Sequence, residues 1–169
     1  NDLDFLLSHR KELVQRYHSE FHKCFVVYGK AAPASLKVAK EIGLTTYNSF
    51  LLKNKFSLYD FLRLISLLIF FIKIRPCVAH SITIKAILVH SILGCLVPIQ
   101  SNLFAFAGLG KLFEKSLRKK IFHKSIIFFL KVFINRVGGT VIIQNKSDLR
   151  ILKKTFGSEK LSYVRTLGS

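Results

Sequence analysis

The chain has 169 residues, half of them hydrophobic, and 27 Lys and Arg against nine Asp and Glu give it a formal net charge of +18. This length and apolar content allow a folded domain with its own core and exclude a disordered chain. The charge favours a polyanionic partner, such as nucleic acid, an anionic membrane surface or a diphosphate. Cys24, Cys77 and Cys95 are odd in number, widely spaced and in apolar surroundings, which indicates buried thiols rather than disulfides or a metal site.

The first half of the chain alternates between helical and extended patterns. Leu6, Leu13 and Tyr17 recur at helical spacing, and the β-prone run that follows is closed by Gly29. The last helix of this half has nine residues between its charges at Arg63 and Lys73, too few for a bilayer span, so a buried core helix is predicted. In chain order the predictions are helix 5–18, strand 24–28, helix 34–42, strand 44–48 and helix 58–74.

The second half continues the same alternation. Residues 86–110 carry no formal charge and are long enough for a transmembrane helix, but Pro98, Gln100 and Asn102 favour a helix, a turn and a strand instead. The predicted elements are a short strand that ends near His80, helix 85–94, strand 97–106, a helix within 111–136, strand 140–143, helix 146–156 and strand 161–164.

This regular alternation predicts the fold class. Helices that alternate with short, apolar, β-branched strands imply a parallel sheet with helices on both faces, as in a Rossmann-like α/β domain. The opening helix needs a strand before it in such a fold. We therefore expect a truncated domain whose first strand precedes residue 1.

Several polar residues follow the ends of the predicted strands. The carboxyl ends of parallel strands share one edge of the sheet, where helix N-termini and close backbone approach suit an anionic ligand. The alternative is that Ser81 or Thr83 caps a helix and that Lys85 is solvated. The candidate ligand-binding residues are Ser8, His9, Arg10, Ser81, Thr83, Lys85, Gly108 and Gly110.

His9 and His80 are the candidates for proton transfer, because an ordinary imidazole titrates near neutral pH. Their alternative is a hydrogen-bonded structural role. The sequence contains no nucleotide-binding glycine motif, no metal-ligand pair at helical spacing and no paired-carboxylate site, so no metal and no cofactor are expected.

A basic and aromatic pattern marks the predicted helix within 111–136. Lys120, Lys124 and Lys131 share a helical face, and phenylalanines fill much of the rest. A helix of this kind can lie among anionic lipid headgroups. The alternative is a helix that packs on the core and has a solvated edge.

Short motifs also occur in a fixed order along nearly the whole chain: ND at 1–2, FLLSHR at 5–10, RP at 75–76, VAHSITIK at 78–85, AGLG at 107–110 and VIIQNKSD at 141–148. Together they resemble the N-terminal half of a bacterial family 4 glycosyltransferase, closest to the subgroup that builds O-antigen, capsule or other lipid-linked glycans. Many members of that family place a His after the fifth strand, where this chain has Phe106 or its neighbours.

The resemblance implies a GT-B enzyme with two Rossmann-like domains, of which residues 1–169 are the truncated, acceptor-side domain. The donor domain, which holds the nucleotide-sugar without a metal, is not part of this sequence, so this chain alone is expected to be inactive. The whole enzyme transfers a sugar to a polyprenyl-diphosphate-linked glycan at the inner face of the cytoplasmic membrane. Ser8, His9, Arg10, Thr83 and Lys85 are then expected to hold the diphosphate or sugar hydroxyls of the acceptor.

Three other interpretations stay open. The first is a basic module that binds nucleic acid or a membrane without catalysis. The second is an integral membrane protein with residues 86–110 as its span, and the third is a gene remnant.

Overall fold

The computed structural model of the protein describes residues 3–21, 23–49, 59–106 and 117–166, with the backbone alone at 5, 9, 59, 60 and 117–123. The chain divides into two compact units, Asn1–Ile69 and Phe70–Ser169. Each unit is described by itself below.

The first unit contains a two-stranded parallel sheet and the helices around it. Strands β1 and β2 pair with Phe25 opposite Thr45. Leu3, Leu7 and Val14 form one apolar core with residues of β1, α3 and the start of β2. The elements are α1 (Leu3–His9), α2 (Lys11–Glu20), β1 (Phe25–Tyr28), α3 (Pro33–Glu41), β2 (Thr45–Asn48) and α4 (Tyr59–Ile74), the last of which runs into the second unit.

The second unit contains four parallel strands in the order β3-β4-β5-β6, each joined to the next by a helix. Its core is built on Phe104, Val141 and Ile143 of the two central strands, covered by side chains of α5, α6 and α7. The elements are β3 (Val78–Ile82), α5 (Ile84–Leu96), β4 (Ser101–Phe106), α6 (Leu117–Val137), β5 (Gly139–Ile143), α7 (Lys146–Phe156) and β6 (Leu161–Arg165).

The predicted α/β class is confirmed, and the parallel strands with intervening helices are consistent with a Rossmann-like fold. The six strands within the described residues form two separate sheets rather than the single sheet that the alternation predicted. The described part of the charge-free run, 86–106, contains the predicted helix, turn and strand in that order, but β4 begins at Ser101 and not at residue 97.

The cysteines that were predicted to be buried are not: Cys77 is exposed, and Cys24 and Cys95 are half-buried.

Two predictions about helices were also wrong. The expected single helix over 5–18 is broken at Arg10, whose backbone leaves the helical region (φ −138°, ψ 21°). The expected buried core helix, α4, buries Leu67 but exposes Phe61, Leu62 and three isoleucines, with Phe61 66% exposed. An apolar helix is buried only if other elements cover it, and its own sequence does not say whether they do.

Candidate ligand site at the carboxyl end of strand β3

The predicted strand, turn and helix around residue 83 are present. Strand β3 ends at Ile82, Thr83 makes the turn, and the 13-residue helix α5 begins at Ile84. Thr83 is the N-cap residue, and its Oγ1 accepts a hydrogen bond from the Ala86 N–H at 3.5 Å. The capping role that the sequence left open for Ser81 or Thr83 therefore belongs to Thr83.

The backbone of Thr83 is strained. Its φ of 119° and ψ of 148° lie in a region that glycine adopts freely and other residues rarely do. Holding a β-branched residue there costs about 1–3 kcal/mol. Such strain occurs at ligand-binding sites more often than elsewhere, so the turn is a candidate site on geometric grounds.

Lys85 lies in the first turn of α5, two residues after Thr83, and is half-buried. The first N–H groups of a helix have no partners within the helix, and the helix dipole is positive at this end. The positive charge of Lys85 in this same turn adds to the helix end, which makes the end of β3 suitable for a phosphate or another anion.

Ser81 lies at the same end of β3 as Thr83, but it belongs to a buried hydrogen-bond network. It is buried, and its hydroxyl lies 3.0 Å from Nδ1 of His90 and 3.4 Å from the Leu103 carbonyl oxygen. The Nε2 of His90 lies 3.0 Å from Oδ1 of Asn102. Because Oδ1 can only accept, His90 donates through Nε2 and accepts from the Ser81 hydroxyl through Nδ1.

His90 is held neutral by its surroundings. Burial lowers its pKa from 6.5 to about 4; the hydrogen bond with Asn102 opposes this shift, and the nearby charge of His80 adds to it. The ring is 5% exposed and packs on Phe104 with centroids 4.8 Å apart. Sequence reasoning missed this network, although a histidine inside an apolar helical run was a signal that it needs polar partners.

The candidate histidines of the sequence analysis lie elsewhere. His80 is half-buried in β3, and since successive strand residues point to opposite faces, it lies on the face opposite Ser81. His9 belongs to the last turn of α1, and its side chain lies outside the described residues.

The remaining predicted ligand residues are divided between the first unit and a range that the structure does not describe. Ser8 is exposed in α1, and Arg10 is half-buried between α1 and α2, where its N–H donates to the Leu6 carbonyl at 2.8 Å. Gly108 and Gly110 lie outside the described residues. The structure therefore brings together Thr83 and Lys85 among the predicted set.

Helix α6 presents the predicted basic and aromatic surface. Lys124 and Lys131 are exposed, and between and beside them Phe128, Phe129 and Val132 are exposed too, with Phe128 at 61%. The opposite side is buried through Leu130 and Ile134. Lys120 belongs to the same helix, but its side chain lies outside the described residues.

No group of three or more His, Cys, Asp or Glu residues is placed to hold a metal ion within the described residues. Across the same part of the chain, no helix is both long enough and apolar enough to cross a bilayer.

Comparison with known proteins adds no relative. No protein family has a model that matches this chain, and no curated protein matches it. The function is therefore argued from the residues and their geometry.

Proposed function

We propose that this chain is the acceptor-side part of a glycosyltransferase that uses a nucleotide-sugar donor and a lipid-linked diphosphate acceptor. The observation that carries the proposal is the end of β3, where a strained Thr83, the start of α5 and Lys85 lie together in a parallel α/β unit. These groups offer backbone donors, a hydroxyl and an ammonium to a diphosphate.

The exposed surface of α6 supports the lipid part of the proposal. A polyprenyl-diphosphate acceptor stays in the membrane, so the protein that uses it must reach the headgroup layer. Lys124 and Lys131 provide attraction to anionic lipid, worth about 1 kcal/mol for each charge, and exposed Phe128 can enter the boundary between headgroups and chains.

Binding of geranyl diphosphate, a soluble analogue of the acceptor, tests the site at β3. We expect Lys85→Ala to weaken binding about tenfold, because charge-assisted hydrogen bonds to phosphate contribute about 1.5–3 kcal/mol. Lys160→Ala is the matched control, since Lys160 is an exposed lysine just before β6, at the amino end of that strand and not at a carboxyl end like Lys85. Equal loss in the two variants, or no binding by the unchanged chain, would contradict the proposal.

Vesicle flotation tests the surface of α6. Vesicles of phosphatidylcholine with phosphatidylglycerol should carry the chain upward, and vesicles of phosphatidylcholine alone should not. Reversing Lys124 and Lys131 to Glu should weaken this association about tenfold or more. The control is the same double reversal at Lys37 and Lys40, both exposed on α3. An equal effect there would show that membrane binding depends on the net charge of the chain and not on the surface of α6.

The second candidate is a nucleic-acid-binding module, which the net charge of +18 favours. Electrostatic binding of this kind falls steeply with salt and is indifferent to any one lysine. Tight binding of single-stranded RNA that geranyl diphosphate does not displace, together with an unchanged affinity in Lys85→Ala, would support this candidate over the first.

A further inference from the structure

A cavity of about 480 Å³ opens where the strands β3–β6 begin. We call this side of the sheet, at the amino ends of its strands, the amino edge; Thr83 lies at the opposite side, the carboxyl edge. The wall of the cavity includes Cys77 just before β3, Asn102 at the start of β4 and Val137 just before β5. The five residues of β3, at about 3.3 Å each, separate this cavity from the candidate site at Thr83 by about 16 Å. A volume of this size fits a small organic molecule and exceeds what a single phosphate needs.

Among the described residues, the lining of the cavity includes two arginines and no carboxylate. Arg75 and Arg136 both belong to the lining, and the ion pair that the described residues contain, Arg16 with Glu20, lies in the first unit. Burial raises the pKa of the Cys95 thiol and the charge of Arg136 lowers it, so these two lining residues lie close to each other. Two guanidinium groups without a facing acid attract an oxyanion.

Arg75 occupies a backbone position that is typical of glycine. It follows α4 with a φ of 44°, in the left-handed region, and its N–H donates to the Phe71 carbonyl at 2.9 Å. Helices commonly end with glycine in this conformation, because a side chain there costs free energy. An arginine that lines the cavity therefore occupies this position despite that cost.

The rest of the lining suits the body of a hydroxylated ligand. Asn102 is 6% exposed, and its Oδ1 accepts the hydrogen bond from His90 Nε2. Its NH₂ group therefore stays available to donate to a ligand. Helices α5 and α6 both end at the cavity, and their last carbonyl groups accept hydrogen bonds. The negative ends of these helices oppose a bare anion. A ligand that carries hydroxyl groups beside a negative charge can donate hydrogen bonds to the helix-end carbonyl groups and bind the two arginines through its charge.

We propose that this cavity binds a phosphate monoester of a small polyol, with Arg75 and Arg136 on the phosphate and with Asn102 and the helix-end carbonyls on the hydroxyl groups. This site is separate from the proposed acceptor site at Thr83 and Lys85. It has its own residues and its own edge of the sheet.

Calorimetric titration of the full 169-residue chain with glucose 6-phosphate tests the proposal, and glucose is the uncharged comparison. Arg75→Gly removes the guanidinium and fits the positive φ, and Arg136→Gln removes the second charge. We expect each of these two variants to bind glucose 6-phosphate about tenfold more weakly than the unchanged chain does. Arg150→Gln is the matched control, because Arg150 is exposed on α7 outside the lining, and it should leave binding unchanged.

Thiol protection gives a second readout. Cys77 and Cys95 line the cavity, and Cys24 lies in the first unit. Saturating glucose 6-phosphate should slow alkylation of Cys77 and Cys95 by iodoacetamide and leave Cys24 unaffected. Equal slowing of all three cysteines, no binding of glucose 6-phosphate, or undiminished affinity in the two arginine variants would overturn the proposal.

Two outcomes separate the ligand class and the two sites. Inorganic phosphate that binds as tightly as glucose 6-phosphate would overturn the polyol part of the proposal. The effect of Lys85→Ala on geranyl diphosphate does not depend on Arg75 or Arg136. Failure of one site therefore leaves the other one measurable.

Discussion

Each edge of the β3–β6 sheet has a residue with a positive φ, and the residue types differ: glycine at the amino edge and threonine at the carboxyl edge. At the amino edge, Gly139 has a φ of 131°, and a Cβ there would overlap the Asn102 carbonyl oxygen and lie 2.8 Å from the Asn102 Cβ. At the carboxyl edge, Thr83 has a φ of 119° and yet carries a β-branched side chain. Glycine stands where packing forbids a side chain, and threonine stands where a glycine would relieve strain.

The difference between Gly139 and Thr83 indicates where backbone strain is tolerated. Strain at Gly139 would have no compensation, because that position lies against a neighbouring strand. Strain at Thr83 persists because the side chain has a use there, in capping α5 and, on our proposal, in binding a ligand.

Gly139→Ala should be severely destabilising. The added Cβ meets backbone of β4, which cannot move without disturbing the ladder, and alanine resists a φ of 131°. We expect the free energy of unfolding to fall by about 4 kcal/mol in chemical denaturation.

Gly94→Ala is the control for this prediction. Gly94 lies inside α5, and a Cβ there meets the methyl groups of Val137 at 3.1 and 3.3 Å, which are side-chain atoms that can shift. Alanine also favours a helix over glycine by about 1 kcal/mol, so the net change should stay within about 1 kcal/mol. Equal losses in the two variants would show that crowding, and not backbone geometry, sets the cost at the amino edge.

His90 links the two edges through Ser81 and Asn102 and should make stability depend on pH. Its pKa is about 4 in the folded protein against 6.5 for an ordinary histidine, so between these values the unfolded chain binds a proton that the folded protein does not. Stability is therefore complete above pH 6.5, falls as the pH is lowered towards 4, and loses about 3 kcal/mol over that window. Urea denaturation at a series of pH values measures the slope.

His90→Phe should abolish this share of the slope, and it leaves Asn102 and Ser81 without their partner, at a cost of about 1–3 kcal/mol at neutral pH. His18→Gln is the control, because His18 is exposed in α2 of the first unit and should leave the slope unchanged. A slope that survives in His90→Phe would assign the acid sensitivity to other groups.

The sequence predicted the features that depend on local patterns. Apolar periodicity identified the alternating helices and strands, and the polar cluster after β3 placed Thr83 and Lys85 at a helix start. It did not predict the bond of His90 to Asn102, because the partners lie on different elements and only the fold brings them together. It also missed the exposed face of α4, because hydrophobicity does not reveal what covers a helix.

The amino-edge cavity was missed for a similar reason. Its residues extend from Arg75 to Arg136 and form no motif along the chain. Parallel strands gather the segments that precede them at one edge, so unrelated stretches of sequence become one surface. The break at Arg10 had no local signal either, since neither proline nor glycine is present there.

The smallest expected effect belongs to Thr83, where the contrast between the edges can be reversed. Thr83→Gly relieves the strain but loses a long capping bond and adds freedom to the unfolded chain, so we expect a net gain of about 1 kcal/mol. Thr83→Ala keeps the strain and loses the cap, so it should cost about 1 kcal/mol. Urea denaturation measures both. If Thr83→Gly is more stable than the unchanged chain and binds geranyl diphosphate more weakly, the strain is kept for the ligand. If it is more stable and binds equally well, Thr83 has no role in ligand binding.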